Sequence, residues 1–318
     1  FFRHADQNQF PCLSPNDSAF GEFVNYAGEE NIAASRCTAL DRHDGAAIEA
    51  SGVLVRYDPD LVSQAWLRRH QGEYRATITD MTAAEGVLAV MGPNARALLQ
   101  SVSPNDFSNA INPFGTAQEI EIGLGLARAH RVSYVGELGW ELYVSSDMAA
   151  HVFETLRAAG ADHGLKLCGM HMMDCARIEK AFRHFGHDIT CEDHVLEAGL
   201  GFAVKSAKPA FIGRDAVLRK KEAGLDRRLL QFRLTDPEPL LYHNEPILRD
   251  GKIVGYLSSG AYGHHLGGAI GLGYVPCAGE SAAEVKASRY EIDVAGQRVP
   301  AEVSLRPMYD PGNDRMRA

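Results

Sequence analysis

The sequence lacks a long apolar stretch and lacks an excess of basic residues. Its longest apolar runs, such as 86–91 and 268–275, are far shorter than the roughly 20 residues that a membrane-spanning helix needs. The formal net charge of -9 disfavours nucleic-acid binding, because nonspecific affinity for phosphate backbones comes mostly from clustered Lys and Arg. We therefore expect no membrane or nucleic-acid partner and predict a small-molecule ligand.

Closely spaced cysteines are also absent. The six cysteines are scattered, and none forms the CxxC spacing typical of zinc sites or redox pairs. We expect free thiols in a reducing compartment, which is the cytoplasm, or the mitochondrial matrix in a eukaryote. The chain starts at Phe1 without the charged and apolar segments of a secretory signal, so we expect a truncated or processed start.

Strand and helix patterns alternate through the first two thirds of the chain, which is typical of an α+β protein. The periodicity predicts a helix over 168–182, in which Met172 and Ile178 face a core while Arg177 and Lys180 point elsewhere. Beyond Arg227 the pattern changes to short strands separated by turn signals. Among these signals, the dipeptide Asp250-Gly251 is typical of a β-hairpin, so the sequence predicts an all-β domain at the end of the chain.

The densest group of chemically useful residues is the segment YVGELGWEL at 134–142. Its glycines let the backbone turn sharply or approach a ligand, and Tyr134 and Glu141 supply an aromatic face and a carboxylate. A carboxylate can accept two parallel N–H bonds from the aminopyrimidinone edge of a pterin, on which an aromatic wall can pack. A β-hairpin with a structural tyrosine and a surface carboxylate would give the same pattern, so the residues alone leave both interpretations open.

The segment YVGELGWEL resembles the Y-x-G-E-x-G-x-E-[LIV] signature of the aminomethyltransferase superfamily, to which the glycine-cleavage T-protein belongs. Further segments follow in the order found in that family, and in detail they are most similar to the folate-binding C-terminal half of dimethylglycine and sarcosine dehydrogenases. These segments are MGPNARALLQ, CGMHMMDCARIEKAFRHFGHDI, LEAGLGFAVK, IGRDAVL, LLYHNEPILRDGKIVGYLSSGAYGHHLG and SLRPMYDPGNDRMRA. The likeness runs from about Arg75 to Ala318.

The resemblance implies a three-domain cloverleaf of two α+β domains and a C-terminal small β-barrel. We expect the first α+β domain to comprise 1–75 and 160–226, with a truncated N-terminal part. The second α+β domain is then 76–159, and the barrel is 227–318. Tetrahydrofolate would lie in a central channel between these domains.

Carried over by position, the resemblance implies that Glu141 holds the pterin edge and that Tyr134 lines the same pocket. The loop that contains Tyr262 and His264 would face the folate channel, or would otherwise serve as turn structure. The family's folate-contacting arginine is replaced here by Met173. Asp174, Arg177 and Glu179 in the same motif are expected to form buried ion pairs.

The family's catalytic aspartate is missing from its expected place. A family segment of the form G-G-I-x-D-[DL] corresponds here to ENIAAS at 30–35, so that the aspartate is replaced by Ala34. Two explanations stay open: the site is altered or inactive, or Glu29 or Glu30 supplies the carboxylate. The sequence therefore assigns no catalytic residue, and Tyr134 is only a candidate.

Histidines offer a second, weaker set of candidates. His184, His187 and His194, with Asp188 and Asp193 nearby, could be considered as metal ligands. The segment RHFGHDI is, however, a family motif without metal, so we predict no metal site.

The function implied by the resemblance is tetrahydrofolate-dependent one-carbon transfer in the demethylation of a dimethylglycine-type or sarcosine-type amine, as in glycine catabolism. The product would be 5,10-methylenetetrahydrofolate. FAD is expected only in a missing domain or a flavoprotein partner subunit, since no GxGxxG follows an N-terminal strand. The alternatives are a folate-dependent O- or S-demethylase and a noncatalytic folate-binding subunit.

Overall fold

The computed structural model describes residues 32–40, 47–55, 67–72 and 77–318 of the chain. The described residues belong to two compact units. The barrel unit contains Gly169–Gly312, and the sheet unit contains the described residues up to Cys168 together with Asn313–Ala318. The division of the chain into three domains, with boundaries after residues 75, 159 and 226, stays a prediction. No helix in the described ranges is both long and apolar enough to span a bilayer.

The sheet unit is built on a four-stranded antiparallel sheet in the order β3-β6-β5-β4. Its strands are β3 (Glu85–Met91), β4 (Ala117–Ile122), β5 (Gly125–His130) and β6 (Gly139–Ser145). A separate two-stranded antiparallel sheet pairs β1 (Ile32–Leu40) with β2 (Ala47–Val55). Helices of this unit within the described residues include α1 (Ala95–Val102), α2 (Ala149–Gly160) and α6 (Asp314–Arg317), with a 3-10 turn at Ala161–His163 and further helical residues at 67–70.

The core of the sheet unit lies between one face of the sheet and helices α1 and α2. Trp140 and Leu142 on β6 are fully buried in this core, where they belong to the same apolar cluster as Leu99 on α1 and Val152 on α2. Successive side chains of a strand point to opposite faces. Glu141, between these two residues, therefore lies on the face of the sheet that does not form this core.

The barrel unit contains a closed six-stranded barrel in the order β10-β7-β12-β11-β8-β9. The strands are β7 (Arg227–Leu234), β8 (Pro246–Arg249), β9 (Lys252–Gly263), β10 (Gly268–Pro276), β11 (Tyr290–Val294) and β12 (Gln297–Ser304). The unit also contains helices α3 (Met170–Glu179), α4 (Arg214–Ala223) and α5 (Ala282–Ala287), and a 3-10 turn at Gly201–Ala203.

The predicted hairpin at Asp250-Gly251 is confirmed. Arg249 at the end of β8 pairs with Lys252 at the start of β9, which leaves a loop of only two residues. Asp250 and Gly251 have φ values of 51° and 80°. Positive φ at both positions is what a type I′ turn requires, and Asp-Gly is among the dipeptides that adopt it most readily.

The predicted orientation of the helix over 168–182 is wrong for three side chains. Met172 is 45% exposed, whereas Arg177 and Lys180 are only 3% and 0% exposed. Ile178 is buried as expected, at 1%. The two basic side chains are buried because each meets buried or partly buried acceptors, which compensate for the cost of removing a charge from water.

Candidate functional site

The carboxylate of Glu141 lies on the central strand β6 and is buried, with only 6% of the residue exposed. The interpretation of Glu141 as a surface carboxylate is therefore wrong. Tyr143, two residues further along the strand, donates a hydrogen bond from its hydroxyl to Glu141 Oε2 at 3.1 Å. Because their spacing is two, both side chains lie on the same face of the sheet.

The neighbouring strand β5 brings two basic side chains to this face. His130 is the cross-strand neighbour of Glu141, and Arg128 is the neighbour of Tyr143. The rings of His130 and Tyr143 meet edge to face, with centroids 4.7 Å apart. Arg128 lies over the Tyr143 ring at 5.4 Å and forms a salt bridge with Glu85 at 3.1 Å. We call these five residues the polar face of the sheet.

His130 is neutral at physiological pH. Burial, with a further contribution from the nearby charge of Arg128, lowers the pKa of His130 from 6.5 to about 4. The Arg128 Nε donates a hydrogen bond to His130 Nε2 at 3.1 Å, so the neutral ring carries its proton on Nδ1. The polar face therefore places an uncharged imidazole, rather than an imidazolium, beside the Glu141 carboxylate.

Tyr134 lies in the loop that connects β5 to β6 and is 8% exposed. In this loop Gly136 adopts a φ of 77°, and the Ser133 hydroxyl accepts a hydrogen bond from the Glu137 backbone N–H at 3.1 Å. At its end, a Cβ on Gly139 would lie 2.1 Å from Met91 Sδ, so the close approach of β3 requires glycine there. The signature glycines thus serve local backbone geometry.

Tyr262 and His264 lie in the barrel unit, at the hairpin between β9 and β10. Tyr262 is partly buried, His264 is exposed, and their rings are in contact with centroids 5.2 Å apart. The two residues are therefore brought together, and they belong to a different unit from Tyr134 and Glu141.

Glu179, the last residue of α3, holds this hairpin loop. Its Oε1 accepts hydrogen bonds from the backbone N–H groups of His265 and Leu266 at 2.6 and 3.1 Å, and its Oε2 lies 2.7 Å from His265 Nδ1. The His265 ring stacks on Tyr309 with centroids 4.1 Å apart. Glu179 is 2% exposed, so a buried carboxylate fixes the position of the loop that carries His264.

Arg177 forms a buried ion pair with Asp188 at 2.5 Å and donates to Ser259 Oγ at 2.9 Å. Its pair with Asp174 at 3.0 Å is only partly buried, because the Asp174 side chain is 34% exposed. Asp188, considered above as a metal ligand, is 1% exposed and also accepts hydrogen bonds from the Ser258 hydroxyl and the His184 backbone. No group of three or more potential metal ligands occurs within the described ranges.

The structure also places Ala34 and Met173, two positions at which the sequence departs from the family pattern. Ala34 is in β1, where its backbone pairs with Val53 of β2. Glu29 and Glu30, the alternative carboxylates, lie outside the described residues. Met173 is a partly buried residue of α3. Cys168, Cys175, Cys191 and Cys277 are free thiols, in agreement with the expectation for these four.

Tyr143, His130 and Arg128 were not predicted from the sequence as neighbours of Glu141. Tyr143 could have been found, because its spacing of two from Glu141 places it on the same face of any strand. The two β5 residues carry no such signal. Their position depends on the register of two strands, and a shift of one residue would move both side chains to the opposite face.

Comparisons with known proteins agree with the resemblance found in the sequence. Residues 60–208 match the GCVT N-terminal domain, and residues 227–310 match the glycine cleavage T-protein C-terminal barrel domain. The structure resembles the crystal structure of the glycine cleavage system aminomethyltransferase T from Bartonella henselae, with a TM-score of 0.67 at 21% identity over 90% of this chain and 80% of that chain. The expected aminomethyltransferase fold with a C-terminal β-barrel is thereby confirmed.

Curated relatives are similar over most of this chain. It is 40% identical to the 4-methylaminobutanoate oxidase (formaldehyde-forming) of Paenarthrobacter nicotinovorans, over 86% of this chain and 34% of that protein. It is 36% identical to human mitochondrial sarcosine dehydrogenase over 76% of this chain and 26% of that protein. The aminomethyltransferase of Symbiobacterium thermophilum is 33% identical over 76% of this chain and 64% of that protein. The chain thus spans between about a quarter and a third of the two longer relatives.

Proposed function

The chain belongs to the aminomethyltransferase superfamily of the glycine-cleavage T-protein, and we propose that it transfers a one-carbon unit to tetrahydrofolate during the demethylation of a methylated amine. The proposed product is 5,10-methylenetetrahydrofolate. A sarcosine-type or dimethylglycine-type donor is supported by the similarity to the human mitochondrial sarcosine and dimethylglycine dehydrogenases. Oxidation of the donor is assigned to FAD in a further domain or in a flavoprotein partner subunit.

The observation that carries this proposal is the buried carboxylate of Glu141 within the family signature. At 6% exposure this carboxylate is buried, and the Tyr143 hydroxyl donates a hydrogen bond to its Oε2, which helps to offset the cost of burying a charge. The aminopyrimidinone edge of a folate presents two parallel N–H groups, which match the two oxygens of a carboxylate. The residues present therefore fit the pterin part of tetrahydrofolate.

The contribution of the protein to the reaction is mainly positioning. Tetrahydrofolate supplies the nitrogens that accept the one-carbon unit, and the proposed role of Glu141 is to fix the orientation of the ring that bears them. Tyr134 would provide an apolar wall in the same unit. Tyr262 and His264 are proposed as ligand contacts on the sequence resemblance alone. Holding two reactants in a productive geometry can supply about 7–11 kcal/mol of a reaction barrier. Ala34 in place of the family's aspartate makes this positional contribution the larger part of the proposed mechanism.

A second candidate function is folate binding in a protein that releases the carbon as formaldehyde. It is favoured by the 40% identity to a formaldehyde-forming oxidase, the 4-methylaminobutanoate oxidase of Paenarthrobacter nicotinovorans. The replacement of the aspartate by Ala34 would suit such a chain, and it would also suit direct methyl transfer from an O-methyl or S-methyl donor. Each of these functions leaves a different product.

The binding step is tested by calorimetric titration of the chain with tetrahydrofolate. We expect micromolar affinity for the wild type and a loss of about 10- to 100-fold in Glu141→Gln, because a charge-assisted hydrogen bond contributes about 1.5–3 kcal/mol. Glu154→Gln is the matched control, since it removes an exposed carboxylate from α2 of the same unit. Equal affinity of Glu141→Gln and wild type would refute the proposal.

The reaction is tested by product analysis after the chain is supplied with tetrahydrofolate and formaldehyde. Accelerated formation of 5,10-methylenetetrahydrofolate over the spontaneous rate supports one-carbon transfer. Binding without acceleration supports a noncatalytic folate-binding role. If an O-methyl or S-methyl donor instead yields 5-methyltetrahydrofolate, the chain is a methyltransferase.

A further inference from the structure

Tyr143 is a hydrogen-bond donor to the Glu141 side chain and lies on the same face of β6. Its hydroxyl donates to Glu141 Oε2 at 3.1 Å, and both residues are buried, at 3% and 6% exposure. We propose that Tyr143 is a positioning residue, which sets the plane of the Glu141 carboxylate for the paired N–H groups of a pterin ring. This inference rests on the proposed function.

The hydrogen bond suits such a role because it joins the phenol hydroxyl to one defined oxygen of the carboxylate, Oε2. An ionised carboxylate offers about four acceptor positions on its two oxygens, and the phenol hydroxyl donates to one of them. Two-point recognition of a planar ligand edge requires that the carboxylate plane coincide with the ligand plane. A donor fixed to one oxygen therefore restricts rotation of the carboxylate and reduces the entropy that binding would otherwise have to remove.

The ring of Tyr143 is itself held by packing. On β5, His130 meets the ring edge to face at 4.7 Å, and the Arg128 guanidinium lies over it at 5.4 Å. Arg128 in turn is fixed by a salt bridge with Glu85 of β3 at 3.1 Å. The three strands thus support the tyrosine from two sides, so that its hydroxyl has a defined direction.

The charge distribution on the polar face agrees with the same role. Arg128 is directed to Glu85 and to His130 Nε2, and the imidazole opposite Glu141 is neutral. The Tyr143 hydroxyl is an uncharged donor, so it orients the carboxylate through a hydrogen bond and not through an ion pair. A carboxylate that stays charged forms the stronger, charge-assisted hydrogen bonds with N–H groups of a ligand.

The test is a double-mutant cycle in tetrahydrofolate affinity, with wild type, Tyr143→Phe, Glu141→Gln and the double variant. Phenylalanine keeps the ring that packs on His130 and Arg128 and removes only the hydroxyl. We expect Tyr143→Phe to weaken binding by about 5- to 10-fold. When Glu141 is already replaced by glutamine, Tyr143→Phe should change tetrahydrofolate affinity by no more than about twofold, because the hydroxyl acts through the carboxylate.

The matched control is Tyr290→Phe in the barrel. Tyr290 is also buried, at 2% exposure, and its hydroxyl donates to the Val285 carbonyl at 2.9 Å. Loss of this hydrogen bond should lower the melting temperature without changing tetrahydrofolate affinity. A purely structural effect of Tyr143→Phe would behave in the same way, whereas the positioning role predicts a change in affinity.

The outcomes separate this inference from the proposed function. If Glu141→Gln weakens binding and Tyr143→Phe does not, the positioning role is overturned and the proposed function stands. If the effects of the two substitutions multiply in the double variant, Tyr143 acts independently of Glu141, and the inference is again overturned. If Glu141→Gln binds as well as wild type, the proposed function fails and the inference fails with it.

Discussion

Acidification from pH 7 to pH 5 should destabilise the protein through His130, a buried member of the polar face. Burial, followed by the charge of Arg128, holds the pKa of His130 at about 4 in the folded protein, compared with 6.5 for an ordinary histidine. Between these two values the unfolded chain binds a proton that the folded chain does not. The free energy of unfolding therefore falls as the pH falls, and the contribution of the neutral histidine is fully present only above about pH 6.5.

The magnitude follows from the difference between the two pKa values of His130. Each pH unit between 6.5 and about 4 changes the free energy of unfolding by about 1.4 kcal/mol, so that the full loss below pH 4 is about 3 kcal/mol. At pH 5 the loss amounts to about 2 kcal/mol relative to pH 7. This loss is a substantial fraction of the roughly 5–15 kcal/mol by which a folded domain is typically more stable than its unfolded chain.

The assay is urea unfolding of wild type and His130→Gln at pH 7, 6 and 5. Unfolding is followed by tryptophan fluorescence, because Trp140, one of the two tryptophans, is fully buried in the sheet unit. Glutamine keeps a polar side chain beside Arg128 but cannot titrate, so acid effects from other groups cancel in the comparison. Wild type should lose about 2 kcal/mol more than the variant between pH 7 and pH 5. Parallel losses in the two proteins would refute the assignment of a lowered pKa to His130.

Two further substitutions test how the fold is held together. Arg177→Met should lower the free energy of unfolding by about 3–5 kcal/mol in thermal or urea unfolding, because it leaves the buried Asp188 carboxylate without its ion pair. The exposed salt bridge between Arg157 and Glu154 should contribute less than about 1 kcal/mol to the free energy of unfolding. Similar losses in Arg177→Met and Arg157→Met would therefore contradict the importance of the buried ion pair. Gly139→Ala should cost about 1–3 kcal/mol, since the added Cβ would lie 2.9 Å from the backbone carbonyl oxygen of Val90, which cannot move aside as the Met91 side chain can. An unchanged melting temperature in that variant would show that β3 and β6 do not approach so closely.

The sequence by itself determined the features that depend on neighbouring residues. The turn at Asp250-Gly251 was predictable because few dipeptides adopt positive φ at both positions. The α+β class and the C-terminal barrel were predictable from periodicity and from the order of the family motifs. The alternation along β6 places Trp140 and Leu142 on one face and Glu141 on the other, although both faces of this strand are buried.

Only the tertiary structure decided which distant side chains meet. The register of β5 against β6 brings His130 beside Glu141, and no local pattern encodes that register. Helix periodicity predicted wrongly that Arg177 and Lys180 point away from the core, because their partners include Ser259 and Asp310, which are 82 and 130 residues away in the chain. Polarity alone directs such side chains towards water, and only acceptors supplied by folding make their burial favourable.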